Sequence, residues 1–182
     1  VTGGGDAPRV TIGVAIHIPQ PHATVLSGWR RRVGDPQAEQ VWPHVTLLPP
    51  TEVGESALPE IDAHLAAVAA SASDFVVHLA GTGTFRPVSP VVFVQVARGV
   101  EECERLELGI RSGPLGRDLE FPYHPHVTVA QEVGDAALDE AYEGLSGFVA
   151  RFGVSSFELF VRRADGGWDR RAEFMLGAAH EH

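Results

Sequence analysis

Nine histidines are spread along the 182-residue chain. Two of them open the same three-residue phrase, His44-Val45-Thr46 and His126-Val127-Thr128. On a strand, residues i and i+2 project from one face, so each imidazole shares a face with a hydroxyl. Brought together across a cleft, these four groups suit chemistry at a phosphoester. Free imidazole titrates near pH ~6.5, so near neutrality one ring can accept a proton from an attacking water or hydroxyl while the other gives one to the leaving oxygen. General acid and base groups each typically contribute ~10²–10⁴-fold. The threonine hydroxyls can donate to non-bridging phosphate oxygens, holding the phosphate and stabilising the charge that develops on it. A lone histidine on a strand is more often structural than catalytic; the second copy is what gives the pattern weight. His17, His22, His64, His78, His180 and His182 are read as surface or structural.

The surroundings of the two phrases match. The first is followed by Glu52-Val53-Gly54-Glu55-Ser56-Ala57-Leu58 and the second by Glu132-Val133-Gly134-Asp135-Ala136-Ala137-Leu138. Both read as strand, turn, helix, and the first copy carries two extra residues, about Pro49-Pro50. This indicates a duplicated α+β unit, whose two halves would face each other across a cleft.

The elements that must position the motifs follow from periodicity. Val10, Ile12, Val14, Ile16 and Ile18 alternate with Thr11, Gly13, Ala15 and His17, which makes a strand with one apolar face. Val25, Trp29 and Val33 fall at helical spacing. Val41 to Leu48 reads as a second strand, stopped by Pro49-Pro50. Ser56 is a candidate N-cap for a helix with Leu58, Ile61, Leu65 and Val68 on its apolar stripe. Phe75, Val77 and Leu79 lead towards Gly81 and Gly83 as a strand. The run Val91 to Val94 suits a strand buried on both faces. Val100, Cys103, Leu106 and Ile110 form a short helix limited by Gly109 and Gly113. Asp135 can cap a helix carrying Leu138, Tyr142 and Leu145. Phe157, Leu159 and Val161 pair with Phe174 and Leu176 as a hairpin turning at Asp165-Gly166-Gly167.

Composition narrows the chemistry. All fourteen basic residues are arginine, so Schiff-base enzymes, a Walker-type phosphate loop and a covalent lysyl-nucleotide ligase are excluded. Any ligation would be an energy-neutral exchange of phosphoesters. The net charge of −10 argues against broad binding to long nucleic acid. The dense run Arg30-Arg31-Arg32 is read as a solvated helix face. Cys103 stands alone, which excludes an internal disulfide and a cysteine metal cluster; it reads as a buried structural thiol. No apolar run approaches the ~20 residues of a membrane span, and the start is not a basic-then-apolar signal peptide. The expectation is a cytoplasmic protein. His124 and His126 also share a spacing of two and form, with His44, a candidate metal triad; Pro125 between them and the lack of a neighbouring carboxylate at ligand spacing argue for no metal and no cofactor.

His44-Val45-Thr46-Leu47 and His126-Val127-Thr128-Val129 resemble the paired His-x-Thr/Ser-x motifs, with x apolar, of the 2H phosphoesterase superfamily. The likeness is to its bacterial branch of 2′-5′ RNA ligases and RNA 2′,3′-cyclic phosphodiesterases. Gly81-Thr82-Gly83-Thr84-Phe85 before the Val91–Val96 strand, Phe121-Pro122 before the second motif and the closing hairpin around Gly166-Gly167 resemble it as well, from about Val10 to Leu176. The resemblance implies an α+β fold of two pseudo-symmetric lobes, each an antiparallel-rich sheet with helices outside, around a central cleft. It implies one bilobal domain over residues 10–176; the ends at 1–9, with the run Gly3-Gly4-Gly5, and at 177–182 read as flexible. It further implies metal-independent hydrolysis of 2′,3′-cyclic phosphates to 2′-phosphates, with reversible 2′-5′ joining of RNA ends in some members. His44 and His126 then form the acid/base pair, His126 activating water and His44 protonating the departing 3′ oxygen, while Thr46 and Thr128 hold the phosphate. Phe85 and Tyr123 are candidates to stack on a base, and His124 borders the cleft. Where many relatives carry an arginine soon after the second motif, this chain has Gln131. The expected partner is an RNA terminus or a small nucleotide phosphoester, bound by a monomer away from membranes. Two other readings compete: a binding module of the same fold with little turnover, and a metallohydrolase built on His44, His124 and His126.

Overall fold

The computed structural model describes residues 7–177. Eight strands and four α-helices follow one another as β1 (Arg9–His17), α1 (His22–Arg32), β2 (His44–Gly54), α2 (Leu58–Ala70), β3 (Phe75–Thr84), β4 (Val91–Arg98), α3 (Val100–Ile110), β5 (His126–Gln131), α4 (Asp135–Gly144), β6 (Val149–Val154), β7 (Ser156–Arg162) and β8 (Trp168–Met175). They form two four-stranded antiparallel sheets, ordered β2-β1-β7-β8 and β5-β4-β3-β6. The fold is α+β with two lobes, as the duplicated motif implied. The lobes do not divide the chain at its midpoint, because the C-terminal hairpin β7–β8 returns to complete the first sheet. The repeated unit is the run strand, helix, motif strand, helix: β1-α1-β2-α2 in one lobe and β4-α3-β5-α4 in the other.

Alternation explains how β1 serves both core and site. Ile12, Val14 and Ile16 are buried, whereas Gly13, Ala15 and His17 line the cleft. Each motif strand lies at the edge of its sheet, β2 beside β1 and β5 beside β4. The two edges meet: β2 packs against β5, helix α1 against β5, and α3 against β2. Val45 and Leu47 on β2 and Val127 and Val129 on β5 are buried in the shared core, so the residues between them, the histidines and threonines, must face the other way.

Several sequence expectations need correction. Strand β2 does not stop at Pro49-Pro50 but runs on to Gly54. An edge strand tolerates missing N–H groups, and the β1–β2 register shifts where the prolines stand, between the pairs Ile12↔Thr51 and Val14↔Leu48. Ser56 does not cap α2: it sits inside a 3-10 turn, and Ala57 precedes the helix without a side-chain cap. Asp135 is the first residue of α4 rather than its cap, which is Gly134; a carboxylate there still complements the helix dipole. Val25 is 44% exposed and the buried stripe of α1 is Ala23, Leu26 and Arg30. Gly109 lies within α3, close to Val68 of α2, where its lack of a side chain lets the helices approach. In β4 the run expected to be buried on both faces is so at Val92, Phe93 and Val94. Arg9 belongs to β1 and forms an ion pair with Glu52, while Gly177 donates its N–H to the Ala69 carbonyl at 2.9 Å. The Pro8 carbonyl accepts the Glu55 N–H at 2.8 Å; residues 1–6 and 178–182, with His180 and His182, lie outside the described residues. Cys103 is buried as expected, its thiol pushed up to about 12 by burial and by Glu102 and Glu104 nearby. No helix among the described residues is long and apolar enough to cross a membrane.

Candidate active site

The two motifs are built alike from the residue before each histidine. His44 follows Trp42-Pro43 and His126 follows His124-Pro125. Proline has no N–H and drives the residue before it into extended backbone, so each strand begins at its histidine with the preceding carbonyl turned back towards the ring. The outcome is the same in both lobes: Nδ1 of His44 lies 2.7 Å from the Trp42 carbonyl, and Nδ1 of His126 lies 2.7 Å from the His124 carbonyl. A carbonyl only accepts, so each Nδ1 carries the proton and each neutral ring keeps its lone pair on Nε2. Each imidazole is thereby fixed in orientation and tautomer.

A cavity of about 460 Å³ opens between the lobes, and its lining includes His44, Thr46, Thr128 and Gln131. His126 is not on that lining. It stands on the same face of β5 as Thr128, close enough that the charge of His44 contributes to lowering its pKa. Three of the four motif side chains, His44, Thr46 and Thr128, thus line one cavity from two lobes, with His126 on the strand that carries Thr128. The Thr46 carbonyl accepts the Tyr123 hydroxyl at 2.8 Å. Tyr123 packs against the core, so it ties the approach to the second motif onto the first motif strand. Its ring is half-buried and is not on the lining of this cavity.

Around His126 the wall is aromatic. The Phe85 ring stands edge-on at 5.0 Å, Phe93 lies at 5.1 Å and the exposed His124 at 5.6 Å. Phe85 in turn packs 4.6 Å from Phe93. Gly83 leaves room for this cluster, since a Cβ there would lie 2.5 Å from the Phe93 ring. Among the described residues no three His, Cys, Asp or Glu side chains are grouped to hold a metal ion.

Arg30 and His17 are among the cleft residues that the sequence pattern did not single out. Arg30, taken with its neighbours as a solvated run, is 2% exposed. Its Nε donates to Asp35 Oδ2 at 2.9 Å, and Nη2 lies 2.8 Å from the same oxygen but off the line of a good hydrogen bond. Only Arg31 and Arg32 are exposed. The helical period was the available signal, since Arg30 falls on the stripe of Ala23 and Leu26. His17 is the second. It pairs with His44 across β1 and β2, faces the cleft and lies 3.2 Å from Glu158; its place on the non-core face of β1 could have shown this.

Burial sets the electrostatics. Removal from water pushes His44 down to about 4; the Trp42 carbonyl opposes this, and the charges of His17 and Arg30 add to it. His126 is also lowered, first by burial, then by His124 and His44, against the pull of the His124 carbonyl. Both rings are thus biased towards the neutral form, His44 strongly.

This geometry can be set beside known proteins. The chain matches the family described as the 2′-5′ RNA ligase superfamily over residues 18–166. A Bacillus thuringiensis protein named "Putative phosphoesterase" is 27% identical over 168 residues, spanning 91% of this chain and 96% of the relative. A Bacillus cytotoxicus protein of the same description is 28% identical over the same length. Among solved structures, E. coli LigT complexed with 3′-AMP superposes with a TM-score of 0.71 at 18% identity, covering 93% of this chain and 99% of LigT. Another crystal structure, described as a phosphoesterase, gives 0.66 at 20% identity, covering 93% of this chain and 99% of its own. The family match spans both motif strands and most of the chain, and this protein belongs to the 2′-5′ RNA ligase superfamily of two-histidine phosphoesterases.

Proposed function

We propose that the protein is a metal-independent cyclic phosphodiesterase that opens 2′,3′-cyclic phosphates at RNA ends or on nucleotides. The observation that carries this reading is the paired placement of His44 with Thr46 and His126 with Thr128. Both imidazoles are locked through Nδ1 onto a carbonyl, and Thr46 and Thr128 face one cavity. His126 takes a proton from water as its oxygen attacks phosphorus. The bond from phosphorus to the 3′ oxygen breaks, His44, protonated beside the anionic phosphate, gives its proton to that oxygen, and a 2′-phosphate is left. The threonine hydroxyls donate to the non-bridging oxygens. Replacing water by a 5′ hydroxyl turns the same step into 2′-5′ joining, which needs no nucleotide cofactor. LigT, of the same fold, has been captured with 3′-AMP, ATP and NADP+, which supports a nucleotide ligand. The net charge of −10 favours a terminal or free phosphate over long RNA.

A second reading, a binding module with little turnover, is favoured by one observation. Gln131, a neutral amide, stands on the cavity wall and grips an anion less firmly than an arginine. Phosphorus NMR on 2′,3′-cyclic AMP with excess chelator separates the readings. The enzyme converts it to 2′-AMP, and His44→Ala and His126→Ala each slow the conversion by ~10²–10⁴-fold. Affinity without conversion indicates the binding module, and conversion lost to the chelator indicates a metalloenzyme.

A further inference from the structure

The cavity is lopsided about the site where a phosphate would sit. Thr128 and Gln131 are its contribution from β5, while most of its remaining wall is the first sheet and the segment after α1. That wall is aromatic. Trp42 is 45% exposed, yet its indole N–H is already satisfied by the Ile18 carbonyl at 2.9 Å. A large ring pinned by its polar end, with a face left to solvent beside His44, is a preformed stacking surface. The His17 ring lies 6.0 Å from Trp42 and 4.9 Å from Phe160, at interplanar angles of 36° and 31°, so the three rings make one continuous aromatic wall. Gln37 and Gln40 stand at its margin. Among the described residues their side-chain amides have no hydrogen-bond partner; only their backbone groups are engaged. Each offers a donor and an acceptor. The opposite wall is differently employed: Phe85 packs onto Phe93 and presents itself edge-on to His126, and it is not on the lining of this cavity.

We propose that the nucleobase of the reacting nucleotide lies on the Trp42–His17–Phe160 shelf of the first lobe, with Gln37 and Gln40 at the base edge. Stacking on aromatic faces with amides reading the edge is how proteins hold unpaired bases. The inference rests on the phosphodiester reading only for where the ribose phosphate is anchored.

The test compares kcat/KM for 2′,3′-cyclic AMP with that for methyl riboside 2′,3′-cyclic phosphate, which has no base, in wild type, Trp42→Ala, Phe160→Leu and Phe85→Leu. The wild type prefers the nucleotide by ~10-fold or more. That preference falls towards unity in Trp42→Ala, drops in Phe160→Leu and persists in Phe85→Leu. Absence of a preference in wild type overturns the proposal. So do equal losses on both substrates in Trp42→Ala, which would mean that Trp42 acts only through His44, and a preference abolished by Phe85→Leu instead. Should neither substrate turn over, the phosphodiesterase reading fails. The shelf is then judged by calorimetry with 3′-AMP against inorganic phosphate: a Trp42→Ala variant that weakens both equally overturns it, and selective weakening of 3′-AMP upholds it.

Discussion

The dependence of activity on pH follows from the surroundings of the two histidines. His44 is pushed from 6.5 to about 4, a bias towards the neutral ring of roughly 3 kcal/mol at ~1.4 kcal/mol per unit. His126 is also lowered from 6.5. Acid/base catalysis by the pair needs one ring protonated and one neutral, whichever plays which part. That singly protonated form is most populated between the two apparent values, which belong to the pair. Because both shifts are downward, the window opens near pH 4 and closes below 6.5. At pH 7.5 a ring with a pKa at or under ~6.5 is protonated to about 10% or less, so kcat/KM, which reports the free enzyme, falls nearly tenfold per unit above that point. An anionic substrate favours protonation of both rings, so the kcat profile lies at higher pH than that of kcat/KM. The assay is initial-rate hydrolysis of 2′,3′-cyclic AMP from pH 3.5 to 9 at constant ionic strength. A kcat/KM that stays flat or rises between pH 6.5 and 8 would refute the reasoning, because it would mean that burial does not hold these rings neutral.

Other perturbations read separate parts of the structure. Arg30→Met leaves the Asp35 carboxylate, wholly buried in its ion pair, without its partner; a loss of roughly 3–5 kcal/mol in urea unfolding is expected, and a change under 1 kcal/mol would show that the pair carries no such burden. Gly83→Ala drives a Cβ against the Phe93 ring; overpacking costs about 1–3 kcal/mol, and the displaced ring lowers kcat through His126, so unchanged kcat and melting temperature would contradict the contact. Tyr123→Phe removes the hydroxyl held by the Thr46 carbonyl; about 1 kcal/mol of stability should go with it, seen by denaturant titration, and no change would mean that this bond between the lobes is energetically idle.

Much of this was written in local pattern. Alternation from Val10 to Ile18 gave β1 because one face is buried, and the doubled His-x-Thr phrase with matching flanks gave two lobes and a shared cleft. What stayed illegible depended on context that local rules do not see. Pro49-Pro50 looked like a stop because proline lacks an N–H, but on an edge strand with a register shift that N–H is not needed. Ser56 and Asp135 have the chemistry of caps without the position of caps. Arg30 looked like surface because arginine is rarely buried; only the packed structure shows Asp35 five residues on, folded back to receive it. The interface of β2 with β5, which makes one site from two copies, arises from tertiary packing, and Trp42 becomes prominent only once the first lobe forms a wall beside it.

The central claim is that His44 and His126 act as one unit on one phosphate. It is tested most directly by kcat/KM for 2′,3′-cyclic AMP, with chelator present, in His44→Ala, His126→Ala and the double variant. Each single change is predicted to lower it by ~10²–10⁴-fold, and the double change to cost little more than either alone, as groups acting together do. Single variants that keep wild-type turnover, or a double loss equal to the product of the two single ones, would contradict it.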